Sequence, residues 1–182
     1  WALYALYMGQ RKRMVVALLL ALLCKENIGL VVFMIGLYLI FFERDWKWGI
    51  PVALVGVTWL LAVSLWVVPA LAQPKTEGAA LYPQLGVFCL EGESYGEILA
   101  NVLREPGVLV GRIFDSEALL ALLRIAIPVG LILPFLASDW LLMIVPSLLY
   151  MLASCLGSMH RLESWYLAEA LPGLFAAVAV GL

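Results

Sequence analysis

The sequence predicts an all-α polytopic membrane protein: a transmembrane helix bundle with a short re-entrant-like helical hairpin and an outer loop that carries short amphipathic helices. Of the 182 residues, 65% are hydrophobic and 13% are charged, whereas about half of a soluble domain is apolar. The mean hydropathy is +1.03, and several uncharged runs approach the roughly 20 residues that cross a bilayer. Lys and Arg gather in the short loops of one side. This composition excludes the soluble enzyme classes, and no basic patch suited to nucleic acid is present.

The organising element is the apolar run 14–42, which only Lys25, Glu26 and Asn27 interrupt with polar side chains in its middle. As one helix it would exceed a hydrocarbon core of about 30 Å, yet it is too short for two full spans. Because basic residues flank both ends, we predict a hairpin of 14–24 and 28–42 whose polar turn lies at or below the outer surface. The alternative is one long tilted helix, which would place charges at mid-depth, where they are costly.

The other elements follow from hydropathy and loop charge. Residues 1–8 are interpreted as the end of a helix that arrives at the cytoplasm. We expect residues 1–182 to form a single transmembrane domain and to be a fragment of a longer protein. Inner loops are predicted at 10–13, 43–48 and 138–139. The remaining predicted spans are 50–68, 118–137, 140–156 and 165–182.

The outer loop 69–116 is the one extended polar region. A capping box at 94–97 begins an amphipathic helix that Pro106 and Gly107 end, and residues 108–114 form a second short piece. We expect both to lie on the outer membrane surface with the apolar side down. Packing of these helices against the bundle is an equally good interpretation.

Three cysteines give an odd count and no metal-ligand spacing. We expect Cys24 and Cys155 to lie in helices as small apolar residues. A Cys89–Cys155 bridge on the outer side is the less favoured alternative. No cofactor is evident, and nothing in this chain supports a divalent metal.

Ionisable groups at membrane depth indicate function, and this topology brings several to the outer leaflet. An arginine fork and a lysine point charge suit phosphate oxygens at headgroup level. The expected partners are therefore the lipid bilayer and a lipid-linked phosphate. The candidate substrate-binding residues are Lys25, Glu26, Arg124, Tyr166 and Glu169, with Arg112 and His160–Arg161 nearby.

Each candidate has a purely structural interpretation. Lys25 and Glu26 can simply close the hairpin, and Arg124 can extend its charge to the surface. Glu169 can bond a backbone group that Pro172 frees. His160 can simply be solvated in its loop.

Five segments in this order resemble the integral membrane family called domain of unknown function 2079. They are LLCKENIGLVVFMIGLYLI, the Pro-ended span that follows it, YGEILANVLREP, LLRIAIPVGLILPFL and WYLAEALPGLF. The likeness covers roughly residues 14–182. Members of that family resemble the GT-C superfamily of glycosyltransferases, in which a Lys-Glu or Lys-Gly turn after a short apolar helix recurs.

The resemblance implies transfer of a sugar from a polyprenyl-phosphate carrier on the outer face of a prokaryotic plasma (inner) membrane. Lys25 and Glu26 match the Lys-Glu turn, although Asn27 replaces the Asp that often follows it. In such enzymes an acidic residue in the first outer loop acts as base or metal ligand, and that loop would lie upstream of this chain. The catalytic residue is therefore unknown.

The later segment matches less fully. Tyr166, Ala168 and Pro172 agree with the family pattern, but Trp165 stands at its His position and Glu169 at a Pro position. The resemblance implies that Tyr166 and Glu169 shape the sugar pocket while Lys25 and Arg124 hold the carrier phosphate. A transporter or flippase, and a non-catalytic membrane scaffold, are the alternative functions.

Overall fold

The computed structural model describes residues 1–25, 27–67, 70, 95–130, 132–155 and 167–182. Within these ranges all regular secondary structure is helical and no strand occurs, which confirms the all-α prediction. The α-helices are α1 Ala2–Tyr7, α2 Arg11–Leu22, α3 Ile28–Phe41, α4 Trp46–Ala62, α5 Tyr95–Arg104, α6 Pro106–Ile113, α7 Ser116–Ala126, α8 Ser138–Leu141, α9 Val145–Leu152 and α10 Leu167–Gly181. A π-helix, Val63–Val67, continues α4, and a 3-10 helix, Leu133–Ala137, precedes α8.

The apolar run 14–42 forms two helices and not one rod. Helix α2 ends at Leu22 and α3 begins at Ile28, so the break coincides with the polar triplet. The guanidinium Nε of Arg11 donates to Asp45 Oδ2 at 3.1 Å, and Arg11 Nη2 also pairs with Glu43. These ion pairs bring the start of α2 to the residues just after α3, so the chain doubles back at the break.

Helices α3 and α4 form the most extensive helix pair, and glycines permit their close approach. Gly29 and Gly36 lie seven residues apart on α3, as do Gly49 and Gly56 on α4. A Cβ at Gly29 would come within 2.9 Å of the Gly56 carbonyl oxygen, and a Cβ at Gly36 would overlap the Ala53 backbone. Small residues are typical of such backbone contacts between membrane helices.

The predicted span 50–68 begins earlier than expected. Helix α4 starts at Trp46, so the predicted inner loop 43–48 is partly helical and Pro51 lies inside the helix. Proline lacks the backbone N–H that would donate within the helix, a loss that membrane helices tolerate.

By length and composition alone, one described helix could cross a membrane: Trp46–Val67, of 22 residues. The pair Leu133–Leu141 and Val145–Leu152 qualifies only if counted as one span, and it is bent by 102°. Two shorter apolar helices are Ile28–Phe41 and Leu171–Gly181. The polytopic bundle and its remaining spans stay a prediction.

The predicted span 118–137 is not continuous. Helix α7 ends at Ala126, and the chain turns through Pro128 and Gly130, whose φ is +81°, before the 3-10 helix. Proline disfavours helical geometry in the residue before it, and Gly130 adopts a left-handed conformation. The sequence predicts one span over 118–137, but the combined effect of these two residues ends the helix.

The predicted span 140–156 is also divided. Helix α8 ends at Leu141, and α9 begins at Val145 with Pro146 in its first turn. Pro146 therefore begins a new helix, a position that proline favours, and does not kink an existing one. Within the last predicted span, 165–182, the described residues Leu167–Gly181 form helix α10, with Pro172 inside it.

Two short helices in the predicted outer loop are confirmed as helices, α5 and α6, on either side of Glu105. Helix α6 contacts α5, α7 and α9. Val110 and Phe114 nevertheless remain exposed. The helices thus combine packing against neighbours with apolar surface that faces outward.

An aromatic and acidic cluster joins the inner loops. Tyr38 Oη donates to Asp139 Oδ2 at 3.3 Å, and the Trp140 ring contacts both Tyr38 and Tyr7 edge to face. Because Tyr38 lies near the end of α3, residue 139 lies at the same end of the molecule as the Arg11–Asp45 pair. The three segments predicted as inner loops therefore share one end, here called the basic end, although residues 11–13 begin α2 and residues 138–139 begin α8.

The cysteines differ from expectation. Cys24 is an exposed free thiol in the turn after α2, and Cys155, three residues past α9, is disulfide-bonded. Both lie beyond helix ends and not within helices. Cys89 lies outside the described residues. The odd number of cysteines had made a disulfide the less favoured alternative, but three cysteines also allow one free thiol beside one bridge.

Gly36→Ala should destabilise the protein by about 2 kcal/mol, because its Cβ would push the α3 and α4 backbones apart. Gly111→Ala is the matched control: nothing lies within 4 Å of its Cβ, so it should stabilise helix α6 by about 0.5–1 kcal/mol. Thermal unfolding of the purified protein in detergent measures both. Equal effects of the two substitutions would contradict close α3–α4 packing.

Arg11→Ala should lower the free energy of unfolding by about 1–2 kcal/mol, because it removes a partly buried, charge-assisted pair of contacts to Glu43 and Asp45. Lys12→Ala, at an exposed neighbour, should change it by less than about 0.5 kcal/mol. A double-mutant cycle with Asp45→Ala isolates the pair. If the cycle shows no coupling between Arg11 and Asp45, their ion pair does not stabilise the arrangement of α2 and α3.

Candidate functional site

A cavity of about 890 Å³ lies between α1, α2, α3 and α10, a size typical of ligand sites. Its wall is apolar along most of its length. The α2 and α3 residues that form two of its sides are Val16, Ala17, Leu18, Leu20, Ala21, Val31, Val32 and Ile35. Pro172, Gly173 and Ala176 of α10 form the opposite side.

One end of this cavity lies at the turn between α2 and α3. Cys24 and Ile28 line it there, on either side of Lys25. The ammonium nitrogen of Lys25 is fully buried, and among the described lining residues Lys25 itself does not appear. A buried ammonium is costly, so Lys25 is retained at the break in an apolar run with a compensating contact, and a bound anion would add to it.

The depth of this turn follows from the α3–α4 contact. Gly29 lies beside Leu60, because a Cβ at Gly29 would come within 3.2 Å of the Leu60 backbone nitrogen. The end of the span at Val67 is seven residues further, roughly 10 Å along the helix. Lys25 is four residues before Gly29, roughly 6 Å if it rises as a helix does. Measured along the axis of α4, the Lys25 turn thus lies closer to the middle of that helix than Val67, the end of the π-helix, does.

The other end of the cavity carries Lys12 and Arg13, both exposed. Arg13 donates to Gln10 Oε1 at 2.8 Å, and within the described ranges neither cation has a carboxylate partner. Their neighbour Arg11 is neutralised by Glu43 and Asp45. The cavity therefore has an apolar body and a positively charged mouth at the basic end.

Arg124 lies apart from this cavity. It is exposed on the last turn of α7, a helix that packs on α6 and α9. Leu120, Leu123 and Ile127 near it on the same segment are exposed as well. The predicted convergence of Arg124 with Lys25 is not seen among the cavity-lining residues, and its role in binding stays a prediction.

The remaining predicted residues are only partly described. Glu26, Tyr166 and His160–Arg161 lie outside the described residues, and Glu169 lies in α10 with no description of its side chain. Arg112 is partly buried on α6. Their predicted contributions stay predictions.

Sequence reasoning missed two features. Lys12 and Arg13 were used only to orient the loops, although their position at the start of an apolar helix was a signal for a cationic mouth. Trp59 was read as apolar span, yet its indole nitrogen is buried with no hydrogen-bond partner among the described residues. Nothing in the sequence distinguishes Trp59 from the other tryptophans.

Within the described ranges, no group of three or more His, Cys, Asp or Glu side chains is arranged to hold a metal ion. The cavity region offers cations next to apolar surface: the buried ammonium of Lys25 near one end, and the exposed Lys12 and Arg13 at the other.

Comparison with known proteins gives one match. No curated protein and no solved structure is similar to this chain. A family described as "Predicted membrane protein (DUF2079)" matches residues 1–182. The chain therefore belongs to this family of predicted membrane proteins.

Proposed function

We propose that this chain is part of a membrane-embedded, GT-C-like glycosyltransferase that uses a polyprenyl-phosphate-linked sugar on the extracytoplasmic face of a prokaryotic plasma membrane. The observation that supports the proposal most is the buried ammonium of Lys25 at the break between α2 and α3. On this proposal, the Lys25 ammonium, together with its existing contact, would attract the phosphate of a lipid-linked sugar near the end of the candidate span.

The proposed catalysis is charge stabilisation. As the sugar leaves its carrier, negative charge develops on the phosphate, and a pre-oriented cation in a dry site stabilises it more strongly than water does. Lys25 would hold the phosphate, and Glu26 would orient Lys25 or contact the acceptor. Tyr166 and Glu169 would shape the sugar pocket.

The orientation of the protein is supported by two separate features. Disulfides persist in oxidising compartments, so the bonded Cys155 favours an extracytoplasmic location for residue 155. Lys and Arg favour the cytoplasmic side, and the basic end carries them at residues 11–13, 44 and 47, in or beside its short connections. The Lys25 turn lies at the far end of α2 from those basic residues.

Arg124 fits a second role in the same reaction. Its exposed position beside Leu120 and Leu123 suits contact with a headgroup while the apolar side chains face lipid tails. The exposed apolar residues of α6 and α7 would admit the carrier tail.

A transporter or flippase is the second candidate, and the 102° bend between Leu133–Leu141 and Val145–Leu152 favours it. Broken helices near mid-depth line substrate sites in many transporters. The two candidates differ in outcome, because a transporter moves a lipid-linked substrate without breaking its sugar–phosphate bond.

Lys25→Ala in the complete protein should lower sugar transfer from polyprenyl-phosphate sugars by roughly 100-fold, as loss of one oriented charge-stabilising group does. Lys25→Arg should retain part of the activity because it keeps the charge. Lys47→Ala, an exposed cation at the opposite end, should leave transfer within about twofold. Proteoliposomes supplied with a panel of such donors and a labelled acceptor provide the measurement.

Unchanged transfer in a folded Lys25→Ala variant would contradict this proposal. The transporter would instead be supported if the wild type moves the lipid-linked sugar across the bilayer without cleaving it and the Lys25→Ala variant does not.

A further inference from the structure

We infer that the cavity between α1, α2, α3 and α10 is a binding site for one anionic phospholipid of the leaflet at the basic end. The phosphate would contact Lys12 and Arg13, and an acyl chain would fill the apolar body of the cavity. This site is separate from the proposed carrier site, because its cations lie at the opposite end of α2 from Lys25.

The apolar body of the cavity has the form that a hydrocarbon chain needs. It follows α2 from Lys12 to Cys24, a length of about 18 Å at the rise of a helix. Aliphatic side chains line it between those points. No described carboxylate lines the cavity, so nothing in the described lining repels an anionic head group.

The charge at the mouth selects the head group. Three consecutive basic residues begin α2, but Arg11 is paired with Glu43 and Asp45 and faces the α3 end. Lys12 and Arg13 line the cavity, are exposed, and have no described carboxylate partner. Two cations without a described carboxylate partner lie at the end of an apolar groove. They complement a lipid head group that has a negatively charged phosphodiester and no positively charged group.

The groove also opens toward the bilayer. Val16 and Leu20, which form its rim on α2, are 59% and 63% exposed, so an acyl chain can enter sideways from surrounding lipid. Trp1, which also lines the cavity, is exposed as well.

The test uses the complete protein purified in detergent, titrated with phosphatidylglycerol or with phosphatidylcholine of the same acyl chains. Native mass spectrometry counts bound lipid. Phosphatidylglycerol should bind the wild type more tightly than phosphatidylcholine does. The double variant Lys12→Gln/Arg13→Gln should lose about 25-fold in affinity for phosphatidylglycerol, because each cation near an anionic group contributes roughly fivefold.

Matched controls separate this site from general lipid contact. Lys47→Gln removes an exposed cation of the same end that does not line the cavity, and it should change the affinity by less than twofold. Ala17→Trp should fill the groove and abolish binding of both lipids. Leu54→Trp, on the exposed face of α4, should leave binding unchanged.

Cys24 gives an independent readout if the tryptophan variant fails to fold. It lines the groove as a free thiol, so phosphatidylglycerol should slow its labelling by a maleimide, with Cys24→Ser as background. The double variant should lose this protection.

Any of four results would overturn the inference. Equal binding of the two lipids would contradict selection of an anionic head group, and unchanged binding in the double variant would contradict contact of the phosphate with Lys12 and Arg13. A Cys24 that never labels would show that another segment or a second copy covers the groove. Displacement by polyprenyl phosphate that depends on Lys25, and not on Lys12 or Arg13, would assign the groove to the carrier.

Discussion

The close contact of α3 with α4 is the constraint on which the rest of this structure depends. Inside a bilayer, helices gain little from hiding apolar side chains, since the surrounding lipid is equally apolar. Dispersion contacts between backbones supply the attraction instead, and they require small residues at the crossing. Gly29, Gly36, Gly49 and Gly56 provide this along the whole length of α3.

This contact fixes the position of the candidate site. Helix α3, of 14 residues, is too short to set the depth of the Lys25 turn in the membrane by itself. Gly29 holds the start of α3 beside Leu60 of the longer α4. The turn with Lys25 is thereby fixed relative to the one described helix of full spanning length. At the other end, the ion pairs of Arg11 fix the start of α2. The cavity lies along α2 and α3 and is closed on the opposite side by α10.

Local chemistry decided which features could be predicted from sequence. The break at 25–27 was predictable because three consecutive polar residues cannot continue an apolar helix without cost. The seven-residue spacing of glycines on α3 and α4 was equally visible, and it indicates the pairing that we had not predicted. The end of α7 before Pro128 and Gly130 was not predicted, because the apolar run continues to residue 137 and hydropathy alone extends the span that far. The exposed position of Arg124 depends on which face of α7 packs inward, and that is decided by distant contacts with α6 and α9.

The shortness of the α2–α3 pair has a consequence for the surrounding lipid. Helices of 12 and 14 residues reach only about 18 and 21 Å, against a hydrocarbon thickness of about 30 Å. Such hydrophobic mismatch is relieved when the bilayer thins or when water follows the polar turn inward. Beside this hairpin the membrane would therefore be dimpled, and a lipid head group could descend toward Lys25 at a smaller energetic cost than anywhere else along the perimeter of α4.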